Sequence, residues 1–132
     1  MTETKKERFE RESGWVKARF ECTADSIFQA LVFVMESDVA SFNKLAGEEE
    51  CTVNRVSERE VTFRRNHRVA AVLTDGVGMR AEVYFNQSQV MRIDIKSKWN
   101  DVEMNCDLFI DDEQVSMHRA SQKIIGHVLF PQ

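Results

Sequence analysis

The sequence is poor in the residues that interrupt or staple a chain. Among 132 residues it has one proline, Pro131, five glycines and three cysteines. Without a proline-rich or glycine-rich linker, an internal repeat or a low-complexity tract, a chain of this length fits one domain. We predict a single α+β domain over residues 14–132 that follows a flexible charged segment, 1–13.

Long apolar runs and an excess of cations are also absent. The longest apolar run, ALVFVM at 30–35, is too short to cross a bilayer. The opening stretch MTETKKERFERES mixes charges of both signs and does not resemble a signal peptide. The net charge of −4 and the pI near 5.4 argue against a general surface for nucleic acid or anionic membranes. We therefore expect no nucleic-acid partner and no membrane insertion.

The cysteines and histidines give little sign of a metal site. Cys22, Cys51 and Cys106 are odd in number, far apart and without a CxxC pair, which argues against zinc. Each lies in a strand-like pattern, so we predict three buried, reduced thiols and a cytoplasmic protein. His118 and His127 are nine residues apart and do not have the spacing of a helical metal pair. No cofactor is predicted.

The first third of the chain predicts a strand followed by helix. WVKARFEC at 15–22 alternates apolar and charged residues, as a half-buried strand does. Thr23 is placed to cap a helix whose apolar residues recur at helical spacing, and Gly47 is placed to end it. The polar triplet at 36–38 interrupts the pattern and could divide this segment into two short helices.

From residue 50 to about 111 the apolar period is two, which predicts an antiparallel meander. We expect five strands, at 50–57, 60–73, 77–86, 90–99 and 102–111. A three-residue loop at 74–76 would place Val69 opposite Ala81, and a two-residue turn at 100–101 would place Ile93 opposite Leu108. Four charged residues would then face solvent: Arg80, Glu82, Arg92 and Asp94.

The last segment predicts a helix from about Asp112. Its expected buried side is formed by Met117, Ser121, Ile124 and Val128, although Gly126 weakens the helical pattern. A short last strand over 115–119 is the alternative.

The order of elements resembles a known superfamily. VKARFECTADSIFQAL, a predicted strand that runs into a capped apolar helix, precedes the meander and the C-terminal helix. This order resembles the START-like helix-grip superfamily, and the resemblance implies a curved sheet that grips helices around a ligand cavity. The C-terminal helix, which closes that cavity in the family, is short here. A cystatin-like fold is the alternative resemblance, although such domains open with the helix.

Two polar residues fall on the apolar phase of the long strand predicted at 60–73. Arg65 and His67 would be costly inside an apolar face unless they are paired or bind a ligand. We predict that both bind ligand in a cavity whose other walls are Phe63, Val83, Phe85, Met91 and Ile110. The alternative is a bend at Asn66, which tolerates left-handed geometry and would leave both side chains in water.

These features favour a small-ligand-binding domain with a partly apolar cavity for an amphipathic anion. The first alternative is a non-catalytic homo-oligomeric module, a homodimer that buries a sheet face or the apolar tail IIGHVLF. An acid–base enzyme that uses His67 would need an inner carboxylate, but Glu82 and Asp94 fall on the outer phase.

A further alternative is a nucleotide binder. Arg64-x-x-x-Arg68 followed by Asn86-x-Ser88 resembles the cyclic-dinucleotide motif of PilZ domains, with Met91 where that motif has glycine. The resemblance would imply that the two arginines bind phosphate. A hydrated sheet surface explains the same arginines.

Overall fold

The computed structural model describes residues 3–130, apart from the side chains of residues 10–12. Seven strands form one antiparallel sheet in which each strand pairs with the next along the chain. The predicted α+β class is confirmed, and the described residues form three helices and seven strands in place of the six predicted. The elements are α1 Lys5–Phe20, α2 Ala24–Ala46, β1 Thr52–Ser57, β2 Glu60–Arg65, β3 Arg68–Thr74, β4 Met79–Phe85, β5 Ser88–Asn100, β6 Asn105–Ile110, β7 Glu113–Val115 and α3 Met117–Leu129.

The first element is a helix, so the strand predicted at 15–22 is wrong. Thr4 and Glu7 form a capping box, in which each side chain accepts the backbone N–H of the other residue. Lysine, arginine and glutamate, which favour helices, recur in the segment. These local preferences decide its structure because no strand within residues 3–130 pairs with it. The helix includes residues 5–13 of the segment predicted to be flexible. Residues 1, 2, 131 and 132 of the predicted domains lie outside the described residues.

The second helix has the predicted ends. The Thr23 hydroxyl accepts the N–H of Ser26, and Gly47 ends the helix in the left-handed conformation with φ of 82°. The predicted division at 36–38 does not occur. Glu36 pairs with Arg55 of β1, and Asp38 accepts a hydrogen bond from Ser121 of α3, so the two charged residues of the triplet have partners without a break in the helix.

The strand predicted at 60–73 is two strands, β2 and β3, joined by a turn. Asn66 occupies the left-handed region at φ 56°, as the alternative interpretation expected. The turn shifts the phase of β3 by one residue, so Ala70 and Val72 face the helices. Val72, not Val69, therefore lies opposite Ala81, and the predicted register of this hairpin is wrong. The helices cover the face that carries the apolar residues.

The hairpin of β5 and β6 has the predicted faces but a different pairing. Ile93 and Ile95 are buried, while Arg92 and Asp94 are exposed. The loop occupies residues 101–104 instead of two residues, which shifts the register by an even number and preserves the faces. Ser97 therefore lies opposite Leu108, where Ile93 was predicted. On β4, Arg80 and Glu82 lie on the face away from the helices, as predicted.

The C-terminal segment begins with the short strand β7, and α3 starts at Met117 instead of near Asp112. Ser116 caps the helix by accepting the N–H of Arg119. The buried side of α3 includes Ser121, Ile124 and Val128, as predicted.

The helices α2 and α3 pack against each other on one face of the sheet. Their buried side chains form a single core with the inner residues of the strands. The first helix contacts β6 and is largely exposed. No helix among residues 3–130 is long and apolar enough to cross a membrane.

A disulfide joins the end of α1 to the β5–β6 hairpin. Cys22 pairs with Cys106, with Cα atoms 5.5 Å apart, so the prediction of three free thiols is wrong for these two. The strand predicted at 15–22 gave no reason to pair Cys22 with Cys106. In the structure Cys22 lies between α1 and α2, next to Cys106 of β6. Cys51 is free and buried, and this burial raises the pKa of its thiol.

Candidate functional site

Arg65 and His67 do not share a cavity wall. The turn after Arg65 leaves His67 exposed, and Arg68, not Arg65, lies opposite Phe85. The predicted placement of the pair is therefore wrong, because Arg65 ends β2 and His67 lies in the turn, so one continuous strand does not carry both residues. Whether either residue binds ligand stays a prediction.

Arg65 connects four parts of the chain. Its guanidinium pairs with Glu50, with 2.7 Å between Nη2 and Oε2, and Nη1 donates to the carbonyl of Leu129 at 2.7 Å. The guanidinium carbon also lies 5.2 Å from the centre of the Phe42 ring. The positive charge of this half-buried guanidinium is thus compensated by a carboxylate, by the C-terminal end of a helix and by an aromatic ring.

The other five predicted site residues separate into two groups. Phe63 and Val83 are buried in the core, without an internal cavity beside them among the described pockets. The second group lies at strand ends. Phe85 at the end of β4 and Met91 near the start of β5 are exposed, and Ile110 at the end of β6 is buried. Among the predicted site residues, Met91 and Ile110 line a concave surface between α3 and the sheet.

That surface, the basic groove, has a volume of about 680 Å³ and lies between α3 and the sheet. The strands supply its apolar floor, and α3 supplies polar side chains at helical i, i+4 spacing along one side. Its lining residues are Arg68, Met91, Ile93, Ile110, Asp111, Arg119, Gln122, Lys123, Gly126, His127 and Phe130.

Cations predominate in the basic groove. Arg68, Arg119 and Lys123 line it, while Asp111 is the one carboxylate among its lining residues. Nζ of Lys123 lies 3.5 Å from Oε2 of Glu113, an exposed residue that is not among those lining the groove. Three cations against the carboxylates of Asp111 and Glu113 leave an excess of positive charge at the groove.

Packing holds Arg68 in position. Its guanidinium carbon lies 5.0 Å from the centre of the Phe85 ring, and Nη1 donates to the carbonyl of His127 at 3.4 Å. Arg119 donates to Gln122 at 2.7 Å, a neutral partner that leaves its charge uncompensated. Two guanidinium groups that line one groove suit recognition of a carboxylate or a similar anion.

Sequence reasoning missed this site. Arg68 was predicted on the outer phase because the turn at Asn66 was not placed, and the cations of α3 were not singled out. The spacing of Arg119, Lys123 and His127, which places all three on one side of a helix, was the available signal.

A second concavity, the apolar groove, lies on the other side of α3. It has a volume of about 280 Å³ and separates α3 from the end of α2. Its residues are mostly apolar: Asp38, Ser41, Phe42, Leu45, Gln122, Ile125, Gly126, Leu129 and Phe130.

No family model, curated protein or solved structure matches this chain. The assignment of function therefore depends on the geometry of the grooves.

The outer face of the sheet carries a polar network and a third concavity. Glu82 accepts hydrogen bonds from Tyr84 at 2.5 Å and from Arg80 at 2.8 Å, and these two donors lower the pKa of its carboxyl. His67 lies in the third concavity with Arg64 and Asn86, and the residues that line it include no carboxylate.

The residues of the PilZ-like pattern do not form one site. Arg64 lies on the outer face, whereas Arg68 lies in the basic groove on the opposite face. The two arginines therefore cannot bind one phosphate group together.

Proposed function

We propose that this domain binds a small amphipathic anion in the basic groove. The observation that carries the proposal is that Arg68, Arg119 and Lys123 surround an apolar floor that includes Met91 and Ile110. Cations would bind the anionic group, and the floor would bind the apolar part of the ligand. The proposed role is binding without catalysis.

The helix-grip-like arrangement remains part of this proposal. It is supported by the two helices on one sheet face and by the position of α3 beside the groove. The structure departs from the helix-grip-like arrangement at the start of the chain, where α1 replaces the expected strand. The cavity in the proposal is an open groove and not an enclosed chamber.

The test compares 1-naphthoate with its neutral analogue 1-naphthamide by chemical-shift titration. We expect 1-naphthoate to shift the resonances of Met91, Ile110 and Arg119 and to bind about tenfold more tightly than the amide, because it gains a charge-assisted hydrogen bond. The double variant Arg119→Ala/Lys123→Ala should remove this preference. The control, Arg64→Ala, removes a cation from the outer face. Equal binding of the acid and the amide by the native protein would refute the proposal.

A homodimer is the second candidate, and exposed apolar side chains near the disulfide favour it. Phe20 is 82% exposed and Val102 is 90% exposed, and both lie within four residues of a cysteine of the Cys22–Cys106 pair. The disulfide joins the two segments that carry these side chains, and exposed apolar surface is typical of an interaction site where it is contiguous. Light scattering after size exclusion tests it: a dimer that Phe20→Glu converts to a monomer would support this candidate.

Cytoplasmic localisation also remains a proposal. A disulfide is typical of oxidising compartments, so the Cys22–Cys106 pair removes the thiol argument on which that localisation was based. Alkylation of thiols in freshly lysed cells, followed by mass spectrometry, tests whether both cysteines are reduced in the cell.

A further inference from the structure

The two grooves share a boundary on α3. Gln122, Gly126 and Phe130 line both the basic groove and the apolar groove. Their spacing of four residues places them in one row along the helix, with the cations on one side and Ile125 and Leu129 on the other. This row is a ridge between the two concavities.

The ridge has a gap at Gly126. A Cβ atom built on this residue would meet no heavy atom within 4 Å, so the space above it is open. Gln122 and Phe130 carry side chains on either side of the gap. Glycine lowers helix stability by about 1 kcal/mol relative to alanine in a helix interior, so helix formation does not explain its presence.

The chemistry of the two grooves is different. The cations lie on the side of the sheet, whereas the apolar groove has Phe42, Leu45 and Leu129 and no cation among its lining residues. A ligand that lies across the gap would therefore meet positive charge at one end and apolar surface at the other.

We propose that the ligand is a single-chain anionic amphiphile, a long-chain carboxylate, whose alkyl chain crosses the ridge at Gly126 into the apolar groove. The inference rests on the proposed function, because the carboxylate occupies the basic groove. The basic groove, at about 680 Å³, has the volume of a small-molecule site, and the apolar groove, at about 280 Å³, lies just below that range. The alkyl chain would cross the ridge where Gly126 has no side chain.

The first experiment measures the affinity of hexanoate, decanoate and tetradecanoate by titration calorimetry, below the concentrations at which they form micelles. We expect affinity to rise about two- to fourfold per added methylene once the chain reaches the apolar groove, because a fully buried methylene contributes about fourfold. No dependence on chain length would overturn the inference.

Gly126→Leu tests the path across the ridge. A Cβ atom at position 126 meets no heavy atom within 4 Å, and leucine raises helix propensity, so the variant should fold. It should lower the affinity ratio of tetradecanoate to hexanoate to near one. The matched control is Gly14→Leu on α1, where a Cβ also meets no heavy atom within 4 Å. The control should keep the ratio of the native protein. An unchanged ratio in Gly126→Leu would overturn the inference.

Leu45→Asp tests the apolar groove separately. Leu45 is 89% exposed, so a carboxylate there should not impair folding, and it lies outside the basic groove. We expect weaker binding of tetradecanoate and unchanged binding of 1-naphthoate.

Binding of 1-naphthoate to the native protein distinguishes the two proposals. If it binds but affinity does not depend on chain length, the inference fails and the proposed function stands. If 1-naphthoate does not bind, both the proposed function and the inference that rests on it fail. Sedimentation with anionic vesicles in the absence of tetradecanoate binding would also overturn the inference, since a membrane surface would then be the ligand.

Discussion

At the scale of single residues, the contacts of Arg65 indicate that it stabilises the fold. We expect Arg65→Ala to lower the free energy of unfolding by about 1.5–3 kcal/mol, because Glu50 and the Leu129 carbonyl would lose a charged donor. Urea denaturation measures this loss. Arg65→Lys should recover only part of it, since an ammonium group lacks the planar fork of donors. An unfolding midpoint equal to that of the native protein would show that these contacts contribute nothing.

Glu82 gives the residue-scale prediction for pH. Hydrogen bonds from Tyr84 and Arg80 lower the pKa of Glu82 in the folded state, so its contribution is fully present above the ordinary value of 4.5 and is lost as pH falls through the lower folded value. We expect Glu82→Gln to cost about 1 kcal/mol at pH 7. The difference from the native protein should shrink as the pH falls below 4.5. Denaturation at several pH values measures it, and Tyr84→Phe, which removes the first donor, should reduce the dependence. A difference that stays constant with pH would contradict the assignment.

At the scale of elements, local signals in the sequence predicted faces and caps better than pairings. Thr23 and Gly47 bound α2 as expected, because capping depends on a few adjacent residues. The buried face of β5, with Ile93 and Ile95, also follows from adjacent residues, because an even shift of register leaves the same residues on the same face. The pairings depended on loop lengths, which alternation does not determine.

The turn at Asn66 shows why the candidate site was missed. A strand of 14 residues was predicted because the apolar phase continued through the turn, although the two halves belong to opposite phases. We expect Asn66→Val to destabilise the fold by about 1–2 kcal/mol, because a β-branched residue is strained at φ 56°, and Asn66→Gly to have little effect. Thermal unfolding measures both. In a continuous strand, valine would instead be the better tolerated of the two.

The first helix shows the limit of pattern matching at this scale. Val16, Ala18 and Phe20 alternate with charged residues, but Val16 and Phe20 are exposed in the structure. Only a pairing partner distinguishes a half-buried strand from an exposed helix of strong helix formers, and a partner is a property of the whole fold.

At the scale of the whole molecule, the Cys22–Cys106 disulfide closes a long loop that contains α2 and β1–β5. The two cysteines are 84 residues apart, so the bond restricts much of the unfolded chain. We expect Cys22→Ser/Cys106→Ser to lower the free energy of unfolding by about 2–4 kcal/mol. The half-buried indole of Trp99, which lies opposite Cys106, supplies a fluorescence signal for the denaturation experiment.

Thiol counting tests the disulfide directly. In denaturant without reductant, labelling of the oxidised protein should find one free thiol, that of Cys51, and prior reduction should expose two more. In the native state Cys51 should react slowly, because burial both shields its thiol and raises its pKa, which lowers the fraction of reactive thiolate. Three free thiols before reduction would contradict the disulfide and would restore the argument for a reducing compartment.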